Sequence, residues 1–502
     1  MTPFVGPRIE LAGIMPELVL LVAALLLLVG DASARARLGR GYLVYAASVG
    51  LLVAGGFAVA AWQIASDDGP ELQLSGLVAL DGFASFCKVV LVVFGLLTIW
   101  SGRDYFAHEG QEESEFYALV MLAVAGMMLM ADAADLIMVF LALETFSLAL
   151  YVLVAFGRRA AESQESALKY FLLGSFSSAF FLLGIALAYG AVGGTNLYGG
   201  APTEGRAGLV DFLNSSPAGE AGLLVLATGL LVVGLGFKVA AVPFHMWTPD
   251  AYQGAPAPVT GFMAAGSKLA GFAALLRLLD ATLFSLRWDW RPLVIGIAVL
   301  TMVAGSVLAV VQEDIKRLLA FSSIAHAGFL MIGVVAANDD GISGALFYLA
   351  TYGVTVLGAF AVVSVLAGRD ERRVRLTDYR GLFYESPLLA AALTLFLLSL
   401  AGVPLTSGFV GKLVVFGSAI EANYEWVVVV GVVASAIAAF FYLRVLVAMY
   451  MQEPEEPAEP ARAQPWGYAV VTIAAAVTLA LGLYWGPLID LARRATFFFA
   501  SG

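Results

Sequence analysis

The sequence predicts an all-α polytopic membrane protein with about 14 transmembrane helices. Three observations carry that expectation. Of 502 residues, 61% are hydrophobic and only 13% are charged, against roughly 25% charged in a soluble domain. Mean hydropathy is +0.90. Apolar runs of about 20 residues, each long enough to cross a bilayer, recur along the whole chain.

Hydropathy places the spans near 11–30, 42–64, 79–101, 116–131, 134–156, 167–190, 221–241, 256–279, 293–311, 317–337, 341–367, 387–418, 426–450 and 466–490. The first run lacks a basic leader and a small-residue cleavage site, so it reads as a retained helix. Asp132 and Asp135 divide the fourth and fifth spans. Pro256 and Pro258 open the eighth, where proline is well tolerated. Residues 453–460 are acidic and proline-rich and read as a flexible linker.

Two spans carry an internal interruption. Ala241-Val-Pro243 breaks the seventh and Gly402-Val-Pro404 breaks the twelfth. Each break has a lysine nearby, Lys238 before the first and Lys412 after the second. An odd separation between spans reverses their direction. Broken helices at matching positions of two halves are the pattern of inverted-repeat transporters, and they point to the functional site.

Basic residues orient the chain. Arg35, Arg37, Arg40, Arg158, Arg159, Lys316, Arg317 and the group Arg369, Arg372, Arg373, Arg375 and Arg380 fall in odd-numbered connections. Asp67, Asp68, Asp339 and Asp340 mark even-numbered ones, with Arg287 and Arg291 as the exception. The positive-inside rule then puts the odd-numbered connections in the cytoplasm and both termini outside.

Composition also excludes. Cys87 is the single cysteine, so no internal disulfide or multi-cysteine metal or iron–sulfur site is available. A net charge of −11 argues against nucleic-acid binding. No dinucleotide fingerprint or flavin site is visible.

Lysine usage points to chemistry. Lys88, Lys169, Lys238, Lys268 and Lys412 lie in apolar runs, Lys316 does not, and arginine serves the loops. Buried lysine titrates readily, whereas arginine stays charged. Glu144 lies roughly 13 Å from Asp135 and about 20 Å from Gly157 along its helix, near mid-membrane. Lys268 is also near the middle of its span. An intramembrane ionisable group is a functional candidate by default. The competing roles are a hydrogen-bonded structural acid for Glu144 and a helix-capping cation for Lys238 or Lys412. Lys169 sits close enough to an interface to snorkel, and snorkelling or a local pair explains Lys88. His245 and His326 lie in apolar spans and could relay protons between lysines.

The run Pro243-Phe-His-Met-Trp-Thr-Pro-Asp-Ala-Tyr-Gln-Gly-Ala-Pro-Ala-Pro-Val-Thr closely resembles the antiporter-like subunits of respiratory complex I, in their N-type form. Asp314-Ile-Lys-Arg-Leu-Leu-Ala-Phe-Ser-Ser-Ile-Ala-His-Ala-Gly328 and Leu400-Ala-Gly-Val-Pro-Leu-Thr-Ser-Gly-Phe-Val-Gly-Lys412 match the same family. M-type subunits are expected to carry glutamate where Lys412 stands. L-type subunits need a long lateral helix for which no room remains here.

The resemblance implies two inverted five-helix repeats with discontinuous helices 7 and 12. It divides the chain into 1–110, 111–290, 291–452 and 453–502: the three leading helices, the two repeats, and a linker with the last helix. It implies proton translocation through Glu144 and Lys238, Lys268 as central relay and Lys412 as output; the residue reading adds Lys169, His245 and His326 as supporting candidates. NADH, FMN, iron–sulfur clusters and quinone would then sit in partner subunits, which include a neighbouring antiporter-like subunit and small membrane subunits. A multisubunit cation/proton antiporter subunit and a non-pumping membrane scaffold are the other two readings.

Overall fold

The computed structural model describes residues 10–34, 40–110, 113–157, 161–199, 208–215, 222–367, 373–453, 464–495 and 497. Arg35, Arg37, Arg158, Arg159, Arg369, Arg372 and nearly all of the acidic linker lie outside these residues.

In order, the helices are α1 (Met15–Ala34), α2 (Tyr42–Asp67), α3 (Gly82–His108), α4 (Ser114–Asp132), α5 (Leu136–Val154), α6 (Ala161–Val192), α7 (Leu209–Ser215), α8 (Gly222–Lys238), α9 (Trp247–Gly254) and α10 (Ala257–Phe262). There follow α11 (Lys268–Leu276), α12 (Arg287–Val310), α13 (Ile315–Ala336), α14 (Asp339–Leu366), α15 (Leu382–Glu385), α16 (Pro387–Ala401), α17 (Ser407–Glu421), α18 (Glu425–Met451), α19 (Pro465–Leu483) and α20 (Gly486–Arg494). A π turn at Met263–Ser267 joins α10 to α11, and another at Arg277–Thr282 follows α11.

Among the described residues, twelve helical stretches are long and apolar enough to cross a membrane. Two shorter apolar helices, α8 and α16, stand at the two interruptions. Backbone bonding must be satisfied internally in lipid, which is why an apolar chain of this length folds as helices.

Both interruptions occur where the sequence places them. Helix α8 ends at Lys238, and Ala240 (φ 63°) and a cis Val242–Pro243 bond follow. The freed backbone is re-satisfied: Ala241 N–H donates to Gly236 O at 2.8 Å, and Val242 N–H donates to Thr301 Oγ1 at 2.9 Å. Helix α16 ends in Gly402 at φ 87°, a left-handed geometry that favours glycine. Its N–H donates to Leu398 O and Ser399 O at 3.1 and 3.0 Å.

The α10–α11 stretch, α13 and α14 are enclosed along their apolar length, whereas α1, α6 and α19 face largely outward. Small residues let the inner helices approach. A Cβ on Gly305 of α12 would stand 2.5 Å from Ala325 N of α13, and one on Gly328 would stand 2.6 Å from Met302 N. Such close backbones are the usual basis of helix association in membranes, where apolar burial gives no drive.

Four features depart from the sequence reading. Glu71–Gln73 and Val78–Leu80 pair as a small antiparallel hairpin in an otherwise helical fold. The last span ends at Leu483, and the short helix α20 follows. Lys316 is buried rather than looped out, and its Nζ donates to Ala255 O at 2.7 Å. Arginine is not confined to loops. Arg277 is 1% exposed at the end of α11. Asp81 makes that burial tolerable, because the guanidinium grips both carboxylate oxygens, at 2.8 and 3.0 Å.

Candidate functional site

The first interruption holds Lys238 in an aromatic cage. Its Nζ lies 5.0, 5.5 and 5.2 Å from the ring centroids of Phe146, Tyr151 and Tyr170, and it donates to Tyr170 Oη at 3.3 Å. Ring faces attract a desolvated ammonium. Trp247 stacks on Tyr170 at 4.4 Å and donates Nε1–H to Phe237 O at 2.8 Å. The tryptophan after the break thus caps an orphan carbonyl of α8 and supports the cage.

Glu144, on α5, is half-buried and accepts a hydrogen bond from Ser178 of α6. Glu144 and Lys238 make no ion pair among the described contacts, and Lys238 keeps to its aromatic cage. A narrow crevice lined by Leu143, Tyr151, Ser178 and Phe237 lies beside Lys238.

Lys268 opens α11 directly after the first π turn, a helical irregularity that recurs at functional sites. Its Nζ donates to the carbonyl and hydroxyl oxygens of Ser323 on α13, the latter at 2.6 Å. The Tyr352 ring lies 5.7 Å away. One turn along α13, His326 continues the polar line. Its Nδ1 is 2.7 Å from Tyr348 Oη and its Nε2 is 3.3 Å from Tyr442 Oη. Tyr442 in turn bonds Ser322.

Lys412 projects from α17 onto the end of α16. It donates to Leu400 O and Ala401 O, both at 3.1 Å, and to Ser435 Oγ at 3.2 Å. The Phe329 ring centroid is 4.6 Å away. Its ammonium therefore serves the last carbonyls of a broken helix, where partial negative charge collects.

The structure brings Lys268, His326 and Lys412 into one buried series. Lys238 and Glu144 form a second group at the other interruption. Lys169 stands apart from both. It is half-exposed and pairs with Glu165 at 2.8 Å and with Asp250 at 3.1 Å. Arg317 also pairs with Asp250, at 2.8 Å. Asp250 is held below the ordinary carboxylate range: partial burial opposes this, but the bonds from Arg317 and Lys169 outweigh it. His245 sits half-buried within the first interruption.

Sequence reasoning missed the hydroxyl partners Ser323, Tyr348, Tyr352 and Tyr442, because a tyrosine or serine in an apolar helix looks like ordinary packing. It also missed the buried pair of Arg277 with Asp81, and for Lys88, read as snorkelling or locally paired, it did not name the partners Glu17 and Asp132. Charged residues in apolar runs are visible in a sequence, but their partners are not.

Residues 133–438 match a family profile described as NADH:quinone oxidoreductase/Mrp antiporter, TM. The chain belongs to that family. A relative from Streptomyces griseus named NADH-quinone oxidoreductase subunit N 3 is 44% identical, covering 99% of this chain and 95% of the relative. The NADH-quinone oxidoreductase subunit N of Parafrankia sp. is also 44% identical, over 97% of this chain and 95% of the relative. A chain of respiratory complex I from Thermus thermophilus with bound aureothin superposes with a TM-score of 0.78 at 36% identity, over 95% of this chain and 100% of that one. The Mrp complex of Dietzia sp. shares the fold at a TM-score of 0.81 with 22% identity. The antiporter-like assignment from the Pro243 and Asp314 motifs thus agrees with whole-chain likeness, and the N-type relatives span both interruptions.

Proposed function

We propose that this chain is the N-type antiporter-like membrane subunit of an NADH–quinone oxidoreductase, and that it moves protons along a line from Glu144 and Lys238 through Lys268 and His326 to Lys412. The observation that carries the reading is the series Lys268–Ser323, His326–Tyr348/Tyr442 and Lys412 inside enclosed helices. Each lysine there is costly in lipid. Each is held by neutral acceptors or rings rather than by a carboxylate, which leaves it free to release its proton.

The energies match the task. Moving one charge against 100 mV takes about 2.3 kcal/mol, and switching a neighbouring buried charge alters a protonation equilibrium by a comparable amount. Glu144 would set the charge state of Lys238, and His326 would relay between Lys268 and Lys412. Lys169 and His245 would supply the entry at the Asp250 end.

Redox chemistry on NADH, FMN, iron–sulfur clusters and quinone belongs to partner subunits on this reading. The partners are a neighbouring antiporter-like subunit and small membrane subunits, in a bacterial inner membrane with both termini outside. The chain then divides at 110, 290 and 452, with fourteen spans and inverted repeats between the first and last of these positions. Glu144→Gln or Lys238→Ala in the assembled enzyme should greatly reduce NADH-driven proton pumping in proteoliposomes. Near-normal pumping in both variants would sink the proposal.

A further inference from the structure

We propose that Glu17, Lys88 and Asp132 form a proton-binding site, separate from the lysine line, in which two carboxyl groups share one lysine and keep one proton between them. Lys88 Nζ lies 2.7 Å from Glu17 Oε1 and 2.5 Å from Asp132 Oδ2. It also donates to Gly13 O at 2.5 Å. The three side chains are 2%, 2% and 0% exposed. The remaining oxygens, Glu17 Oε2 and Asp132 Oδ1, are buried and receive no hydrogen bond from the described residues.

Charge balance makes this a proton site. Among the described residues, the ions beside this group are Arg277 and Asp81, which pair with each other at 2.8 Å. Arg277 Nε also donates to Ala131 O at 3.0 Å, beside Asp132. The Cys87 thiol and the Tyr198 hydroxyl are the other titratable groups close by, and both are buried. Asp135 is turned away, accepting from Ile137 N–H and from Thr195 at 2.8 Å each. With every acid ionised, three carboxylates would face two cations among the described residues, in a setting closed to solvent. An uncompensated buried charge is far costlier than a bound proton, and two carboxyls close together titrate as a unit. One bound proton neutralises the group and gives an orphan carboxyl oxygen a hydrogen to carry.

The site lies where α4 ends and α5 begins, whereas the Asp250–Lys169–Arg317 cluster lies where α5 ends and α6 begins. The two therefore sit at opposite ends of the protein. A surface link exists: Gln73 Oε1 accepts from Gly13 N–H at 2.7 Å, and Gln73 Nε2 donates to exposed Glu71 at 2.5 Å. Protonation here would also be felt at Arg277, which ends the helix that Lys268 begins. The proton site does not depend on whether the lysine line pumps.

Infrared difference spectroscopy of the assembled complex in lipid reads the proton directly, through the stretching band of a protonated carboxyl. Glu17→Gln and Asp132→Asn each leave one carboxylate paired with Lys88, so each should lose one such band at neutral pH. Lys88→Gln removes the shared cation and should gain one band. If one variant fails to assemble, the others carry the same test. Unchanged carboxyl bands in the assembled variants would mean that both acids are ionised, and the proposal falls.

Discussion

Lys268 of α11 donates to both oxygens of Ser323 on α13, the hydroxyl at 2.6 Å, three residues before His326 on the same helix. A single serine thus links Lys268 to the helix that carries His326. The carbonyl contact persists whatever side chain stands at 323, so the hydroxyl can be tested alone. Ser323→Ala should weaken the hold on Lys268 by about 1 kcal/mol, or roughly fivefold. Proton pumping per NADH should fall partially, with assembly unchanged. A variant that pumps as fast as the parent would show that the hydroxyl contributes nothing.

Lys412 can be both a cap and a carrier, and two substitutions separate these roles. Lys412→Met leaves Leu400 O and Ala401 O without their donor, at a cost of about 1–3 kcal/mol. Lys412→Gln can still donate but carries no charge. Thermal denaturation should find the Gln variant the more stable of the two. Pumping should be lost in both. Retained pumping in the Gln variant would leave capping as the whole role.

Arg277 and Asp81 make a buried two-pronged pair. Arg277→Met strands the Asp81 carboxylate, and breaking such a pair typically costs about 3–5 kcal/mol. The variant subunit should be depleted from the membrane complex on a native gel. Adding Asp81→Leu removes the stranded charge and should recover much of the loss. A double variant no better than the single would contradict the pairing as its cause.

Asp250 lies on α9, outside the candidate membrane spans, and should respond to acid. Burial opposes ionisation there, but the bonds from Arg317 and Lys169 hold the folded-state value below the ordinary one. A depressed carboxylate stabilises the fold above its unfolded value, near 3.9. That contribution is lost as pH falls through the folded value. Melting temperatures of the parent and Asp250→Asn should therefore differ at neutral pH and converge below about pH 4. A constant gap across that range would exclude the titration.

Much of this arrangement was legible in the sequence. Apolar length gave the helical membrane class. Pro243 and Gly402 gave the two interruptions, because proline and a left-handed glycine end helices for local reasons. The lysines stood out as costly ions in greasy runs. Partners were not legible. Nothing local says that Lys88 meets Asp132 across 44 positions, or that Arg277 meets Asp81 across 196. Lys169 read as near enough to an interface to snorkel, but its partners Glu165 and Asp250 were not foreseen. Its outward direction depends on how α6 is rotated against the bundle, and the near-uniform apolarity of that helix hides its rotation.

The central claim is that the buried lysines carry protons rather than only hold helices. Lys268→Met tests it most directly, since an unbranched apolar chain reaching the Cε position is retained and the ammonium is removed from an enclosed site. NADH-driven acidification should be measured in proteoliposomes containing the purified complex, with subunit content checked on the same sample. Loss of most proton movement at normal subunit content is the expected result. Full proton movement at normal subunit content would contradict a proton route through Lys268.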